Sequence, residues 1–587
     1  MMSPRLVIHV LSLIAVMVVA HSATATDAEG ERPNVVLIMS DDQGYGDFGA
    51  TGNRVFETPH IDAMAARSAS MDTFYVCPVC SPTRACLMTG RYNYRTRCID
   101  TYQGRSMLDP AEVTIAEVLG GAGYATGIFG KWHLGDSYPL RAIDQGFEQA
   151  LIHKGGGLAQ WSDPLDNQRR YTDAILFKNG EPVHTRGFCT DVYFSAALEF
   201  IEQSRAADRN FFVYLPTNAP HGPFHDIPAD LFAHYRDKDF SPLELEDATG
   251  NRQPADADTL ARIGAMITNI DQNVGRLFDH LDQLQLTENT IVIYMVDNGP
   301  NTPRYVGPFR GHKSTVYEGG VRSPFWMHWP ARLTAGSRSA VPAAHIDVMP
   351  TLLDACGVEP PDNAALDGRS FLPLLCGEQV DWPERYLAIQ SHRGNVPVRY
   401  HQFMIRDNRW KLVHPSGFSN EALDGPPRFE LYDLTSDPGE RNDLAAIHPA
   451  EVQRLKAAYD AWFADVSGTR PDNYAPPRIV VGNEHENPTI LTRQDWRVAE
   501  KGGVGVWEIH VAAAGVFDVT LLFDQPVTSG AVELTIGGAS QSRAIEAGAT
   551  SCTFNGLVLD GGNATVKAVT TGGTDVRGAY HVTIERK

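Results

Sequence analysis

From about residue 33 to residue 331 the apolar positions gather into five short continuous runs. These are 34–40 (NVVLIMS), 124–130 (YATGIFG), 210–216 (NFFVYLP), 290–296 (TIVIYMV) and 324–329 (PFWMHW). Runs of this length without polar alternation suit strands covered on both faces, as in a parallel sheet. Helical patterns lie between them at 58–69, 114–119, 190–203 and 258–284; the first has Thr58 placed as N-cap and Pro59 at the first helical position. Alternating strands and helices predict a doubly wound α/β domain.

Past about Leu366 the texture changes. Residues 409–414 (RWKLVH) and 429–444 (FELYDLTSDPGERNDL) read as antiparallel strands with a turn, and an amphipathic helix follows at 449–466. A stretch rich in Pro and polar residues, SGTRPDNYAPPR, reads as a linker. Beyond it, short alternating segments with Gly-containing turns predict a β-sandwich. The expected division is a signal peptide at 1–25, an α/β domain at 32–365, its small α+β subdomain at 366–466, a linker at 467–481 and the sandwich at 482–587. The sandwich admits two readings: Trp496, Trp507 and Phe517 offer stacking platforms for a carbohydrate, or they fill its core.

Composition narrows the picture. A chain of 587 residues is too long for one ordinary core. Its formal net charge of -21 argues against general nucleic-acid binding and against adsorption to an anionic membrane. At the N-terminus Arg5 precedes an apolar run from Leu6 to Ala20, and Ala23-Thr24-Ala25 forms a small-residue cleavage pattern. This predicts a periplasmic or extracellular protein with no membrane span after signal cleavage.

In an open α/β sheet, ligands bind beyond the carboxyl ends of the strands. After the first run come Asp41 and Asp42; after the second, Lys131 and His133; after the third, His221; after the fourth, Asp297 and Asn298. The Asp-rich pairs make an oxygen-rich site for a hard divalent cation, Ca²⁺ or Mg²⁺. The lysine and histidines suit an anionic group beside it. Four of the eight cysteines lie in or just after VCPVCSPTRACLMTGR: Cys77, Cys80, Cys86 and Cys98. Zinc and redox readings are open, although only Cys77 and Cys80 have Cys-x-x-Cys spacing. With Ser81 as N-cap, Pro82 at the first helical position and Gly90 as C-terminal cap, Cys80 stands just before a short helix, at the end that attracts anions.

Cys80-Ser81-Pro82-Thr83-Arg84, followed by Leu87-Met88-Thr89-Gly90-Arg91, resembles the signature of type I sulfatases of the alkaline phosphatase superfamily. PNVVLIMSDDQGYGD, GYATGIFGKWHLG, VDNGP, HKSTVYEGGVRSPF and ELYDLTSDPGERNDL resemble further motifs of that family, so the likeness runs from about Pro33 to Val466. It implies an alkaline-phosphatase-like fold. It also implies that a formylglycine-generating enzyme, which reads Cys-x-Pro-x-Arg, oxidises Cys80 to formylglycine; neither Cys77 nor Cys86 has that pattern. The implied metal ligands are Asp41, Asp42, Asp297, Asn298 and residue 80, around Ca²⁺ or else Mg²⁺. The implied catalytic set is Cys80, Arg84, Lys131, His133, His221 and Lys313. Lys131 and Lys313 grip the sulfate, His221 (or Lys313) protonates the leaving oxygen, and His133 takes the proton that frees sulfate. Glu318 and Arg322 are read as bracing the Lys313 loop, and His225 as structural or lining the substrate pocket. His153, Lys154 and Gly155–Gly157 have no assigned place.

The leading expectation is therefore a secreted sulfatase acting on a sulfated small molecule or carbohydrate. A formylglycine-dependent phosphonate monoester hydrolase or phosphodiesterase is the alternative. An inactive carbohydrate-binding protein on the same scaffold ranks below both.

Overall fold

All five apolar runs become strands of one ten-stranded sheet in the computed structural model, which describes residues 32–246, 252–253, 256–363, 365–500, 504–571 and 576–587. The expected signal peptide lies outside the described residues. The strands are β1 (Asn34–Ser40), β2 (Ala69–Met71), β3 (Ala125–Lys131), β4 (Gln149–His153), β5 (Ile175–Lys178), β6 (Glu181–His184), β7 (Phe211–Pro216), β8 (Thr290–Val296), β9 (Phe325–His328) and β10 (Arg338–Ser339). Their order is β10-β2-β9-β8-β1-β7-β3-β4-β5-β6, parallel from β8 through β1, β7 and β3 to β4. β9 departs from the all-parallel expectation and runs antiparallel to β8. The helix between them, Glu318–Val321, has 4 residues, too short for the crossover a parallel partner needs.

Both faces of the sheet are covered, which is why its strands read as unbroken apolar runs. Helices α1 (Pro59–Arg67), α3 (Cys189–Ala206) and α4 (Ala257–Gln283) cover one face, and α2 (Cys80–Thr89) lies on the other. Val35, Leu37 and Met39 of β1 pack with Ala85, Leu87 and Met88 of α2. Val36 and Ile38 point the opposite way, toward Ile61, Met64, Phe194 and Met266. β1 is thus held at the centre, and its carboxyl end is fixed where the chemistry needs it.

The subdomain is an antiparallel sheet of β11 (Leu387–Gln390), β12 (Phe403–Arg406), β13 (Trp410–His414) and β14 (Glu430–Asp433), packed under α5 (Pro449–Ser467). Buried Lys411 joins it to the main domain by an ion pair to Glu318 at 2.8 Å, and pairs within the subdomain with Glu440 at 2.8 Å. Glu318 also pairs with Arg322 at 2.6 Å, so these residues brace the segment that follows Lys313. Removing one partner of a buried ion pair leaves uncompensated charge. Lys411→Met is expected to lower stability by about 3 kcal/mol, read as a lower urea midpoint; an unchanged midpoint would show that Arg322 alone neutralises Glu318.

The C-terminal part is a sandwich of a six-stranded and a four-stranded sheet. Trp496, Trp507 and Phe517 are buried in its core, so they serve packing and offer no stacking platform. The stretch 467–481 is not a free linker. Arg470 pairs with Asp109 at 2.6 Å and Glu112 at 2.7 Å, and Ile479–Val481 adds a parallel strand beside Val504–Val511. A three-residue strand is too short to show alternation in sequence. Met107 and Leu140 of the main domain share the sandwich's apolar core, so the two parts pack together. Among the described residues no helix is long and apolar enough to cross a membrane.

Candidate active site

The carboxyl ends of β1, β3, β7 and β8 and the start of α2 meet at one place. α2 begins two residues earlier than expected: Cys80 is its first residue and Val79 its N-cap. Ser81 is drawn away from capping because its Oγ donates to the His133 carbonyl at 3.0 Å. Two further bonds staple α2 to the strand ends. Thr83 Oγ1 donates to the Asp297 carbonyl at 2.7 Å, and an Arg84 Nη donates to the Lys131 carbonyl at 2.7 Å. Gly90 closes the helix in the left-handed conformation, φ 65°.

All the expected site residues converge here. Arg84 is wholly buried and pairs with Asp297 at 2.8 Å and Asp41 at 3.6 Å. Lys131 Nζ donates to Asp41. Lys313 Nζ donates to Asp42 Oδ1 at 2.5 Å, and Asn298 Nδ2 donates to the same oxygen at 2.9 Å. His221 Nε2 stands 3.8 Å from Asp42 Oδ2. Ligand atoms of Asp41, Asp42 and Cys80 lie within 4.8 Å of one another. Lys313 and His221 keep side-chain exposures of 12% and 17%, whereas Asp41, Arg84, Lys131 and Asp297 are closed off. The first two therefore form the mouth of the site and the others its floor. Two residues here hold left-handed backbone, Asp42 at φ 60° and His133 at φ 60°, strain of the kind that gathers at functional sites.

Burial alone would raise Asp41, but Lys131, His221, Arg84 and Lys313 outweigh it and hold the carboxyl well below its usual range. Asp297 goes the other way: burial, then the neighbouring Asp41 charge, push it up to about 7. Burial also pushes the Cys80 thiol up to about 11. Two crowded carboxylates with opposed shifts are what a shared cation would relieve. The oxygens Asp41 Oδ1, Asp42 Oδ2 and Asn298 Oδ1 are buried and accept no hydrogen bond. They form a donor set of hard oxygens, and a divalent cation fits it.

The two histidines are held differently. His221 Nδ1 donates to the Gly222 carbonyl at 2.7 Å, leaving Nε2 toward the site. His133 Nε2 donates to the Thr101 carbonyl at 2.7 Å, while its Nδ1 is buried without a partner. Burial and the charges of Lys131 and Arg84 keep His133 neutral, well below its usual pKa. The loop left unassigned in the sequence passes over both. A Cβ on Gly156 would stand 2.7 Å from His133 Nε2, and one on Gly157 3.4 Å from the His221 ring. Thr101 acts through its carbonyl, which no side-chain motif could reveal. His225 is exposed. All eight cysteines are free thiols; Cys77 faces His345 Nε2 at 3.2 Å, with Cys86 close by.

The Sulfatase family model matches residues 33–358, and the model for N-sulphoglucosamine sulphohydrolase, C-terminal, matches 310–459. N-acetylgalactosamine-6-sulfatase of Canis lupus familiaris is 32% identical over 476 residues, spanning 72% of this chain and 84% of that protein. N-acetylgalactosamine-6-O-sulfatase of Bacteroides thetaiotaomicron is 27% identical over 510 residues, spanning 72% and 92%. The structure of Ps i-CgsB in complex with k-i-k-neocarrahexaose superposes with a TM-score of 0.64 and 26% identity, covering 75% of this chain and 94% of that one. Phosphonate monoester hydrolase SpPMH from Silicibacter pomeroyi gives a TM-score of 0.56 at 22% identity, covering 75% and 96%, a likeness of fold alone. An alkaline-phosphatase-like α/β scaffold with a β-rich C-terminal part is the class these features define. The chain belongs to the sulfatase family and is a sulfuric ester hydrolase.

Proposed function

We propose that this is a secreted sulfatase that removes a sulfate ester from a carbohydrate, with the chemistry in residues 32–365 and their 366–466 subdomain. The observation that carries the reading is the set of unpartnered buried oxygens of Asp41, Asp42 and Asn298, with Asp41 and Asp42 within 4.8 Å of Cys80. The carbohydrate class draws on the two relatives named for N-acetylgalactosamine 6-sulfate. Asp41, Asp42, Asp297, Asn298 and residue 80 would hold Ca²⁺, with Mg²⁺ the other candidate. The cation would supply Lewis-acid stabilisation of oxygen charge at the floor of the site. Oxidised to formylglycine and hydrated, residue 80 would supply the hydroxyl that attacks sulfur.

The protein's own groups divide the remaining work. Arg84 offsets negative charge at residue 80. Lys131 and Lys313 hold the sulfate oxygens. His221 gives the leaving oxygen its proton from Nε2. Burial favours its neutral form, so the negative charge of the bound sulfate is needed to favour the protonated one. His133 takes a proton at Nδ1 from the second hydroxyl of residue 80, which releases sulfate.

Turnover of 6-sulfated N-acetylgalactosamine, aryl sulfate, aryl phosphodiester and aryl phosphonate should be compared on protein made beside a formylglycine-generating enzyme. Sulfate esters are expected to be preferred, and a phosphonate or phosphodiester preference would overturn the reading. Chelation is expected to abolish turnover and to lower the thermal midpoint, with Ca²⁺ restoring both. Unchanged activity after complete removal of divalent ions would exclude the metal assignment.

A further inference from the structure

The sandwich reaches into the active site. Gln494, 3% exposed, lies on the turn after the sandwich strand Thr489–Thr492. Its Nε2 donates to the Thr101 carbonyl at 2.7 Å and to Ser106 Oγ at 3.1 Å. The Thr101 carbonyl is the same acceptor that receives the proton of His133 Nε2 at 2.7 Å. Gln494 Nε2 and His133 Nε2 are 3.3 Å apart. That contact is not a hydrogen bond, because both nitrogens commit their hydrogens elsewhere: they are two donors side by side on one oxygen. The amide orientation follows from the same geometry. Turned over, Gln494 would set its own carbonyl oxygen against that of Thr101.

The turn that carries Gln494 is itself rigid. The Gln494 carbonyl accepts from Gly104 N at 2.8 Å, which ties it to the loop bearing Thr101. Arg493 donates to the carbonyls of Gly578 at 2.8 Å and Ala579 at 3.0 Å, and Trp507 Nε1 donates to the Thr492 carbonyl at 2.6 Å. A second arm of the sandwich holds the loop that crosses the histidines. Tyr580 donates its hydroxyl hydrogen toward the Gln160 and Asp163 carbonyls, at 3.2 and 3.3 Å, and His581 Nε2 meets the Trp161 carbonyl at 3.2 Å.

We propose that Gln494 is a positioning residue: the sandwich, through Gln494, fixes the Thr101 carbonyl and thereby holds His133 with its proton on Nε2 and its lone pair on Nδ1. This rests on the proposed role of His133 as the base that frees sulfate. A neutral imidazole otherwise exchanges tautomers, and the alternative one carries a hydrogen where the lone pair is needed. On this reading the sandwich completes the catalytic site and is not a separable carbohydrate-binding module.

Gln494→Met keeps the length of the side chain and removes both donors, and Gln494→Ala provides a second variant should methionine disturb the fold. With an aryl sulfate, kcat is expected to fall by about 10- to 100-fold, the scale on which outer partners of a functional histidine act. KM should fall or stay level. The first equivalent of aryl alcohol should appear in a burst, because the step assigned to His133 follows attack on sulfur. In protein labelled with ¹⁵N-histidine, the His133 nitrogens should move from a single Nε2–H form toward mixed tautomers, the signal being assigned by its loss in His133→Ala. A wild-type kcat, or a slower kcat with neither burst nor nitrogen shift, would overturn the proposal. The nitrogen measurement needs no substrate, so a protein inert toward every sulfate ester would sink the proposed function while still testing Gln494.

Discussion

Cys80→Ala is expected to lower kcat/KM for any sulfate ester by about 10⁴-fold or more, with little change in the thermal midpoint. The side chain is small, and its surroundings are the charged floor of the site, so its loss opens only a slight cavity in the apolar core. What disappears is the group proposed to attack sulfur, which lies beside Asp41 and Asp42 and in the field of Lys131 and Lys313. Cys80→Ser separates the two halves of the proposed mechanism. A serine offers one hydroxyl, which can attack, but no second hydroxyl from which His133 can take a proton. At most one equivalent of alcohol should be released per molecule. Steady turnover by Cys80→Ala would exclude residue 80 as the nucleophile, and steady turnover by Cys80→Ser would exclude the second hydroxyl as the group that frees sulfate. A parallel check is the mass of the tryptic peptide ending at Arg84: the wild type should carry an aldehyde at residue 80 in place of the thiol.

Arg84→Ala carries the second large expectation, and here stability falls together with activity. The guanidinium is wholly buried, and it is the link between the Asp41 and Asp297 carboxylates and the Lys131 carbonyl. Without it two acids are left in a dry site with Lys131 as their nearest cation, and α2 loses its tie to the end of β3. Breaking a buried pair from one side costs roughly 3–5 kcal/mol. A urea midpoint lower by that amount is expected in metal-free protein, with part of the loss recovered in Ca²⁺, because a cation neutralises the same carboxylates. Arg84→Lys keeps the charge but not the two-pronged reach, so it should recover stability better than rate. Equal midpoints for wild type and Arg84→Ala would mean that Asp297 is protonated and that the ion pair contributes little.

Much of this was legible in the chain before any tertiary arrangement. Continuous apolar runs marked the central strands because a sheet covered on both faces leaves no room for alternation, as Val35 to Met39 illustrate. The residues after each run were candidates for the site because an open sheet exposes those strand ends together. The likeness of Cys80, Pro82 and Arg84 to the sulfatase signature singled out one cysteine among its neighbours. The short strand Ala69–Met71 was not legible, since three residues carry no period. Nor was the reversed direction of β9, which is decided by how little helix lies between it and β8.

The sequence by itself determined which residue types stand at the strand ends and which cysteine stands in the Cys-x-Pro-x-Arg order of the sulfatase likeness, because both are matters of local order along the chain. Only the tertiary structure decided how those groups are held. Ser81 was free to cap α2 and instead bonds the His133 carbonyl, a partner 52 residues away. Trp496 and Trp507 read more readily as core than as a sugar platform without excluding the latter, and the facing sheet placed them in the core. His133 owes its tautomer to the backbone of Thr101, and that carbonyl is shared with Gln494, 393 residues further on. Such contacts join backbone atoms and distant segments, and a backbone carbonyl is the same in every residue, so no pattern of side chains along the chain can announce them.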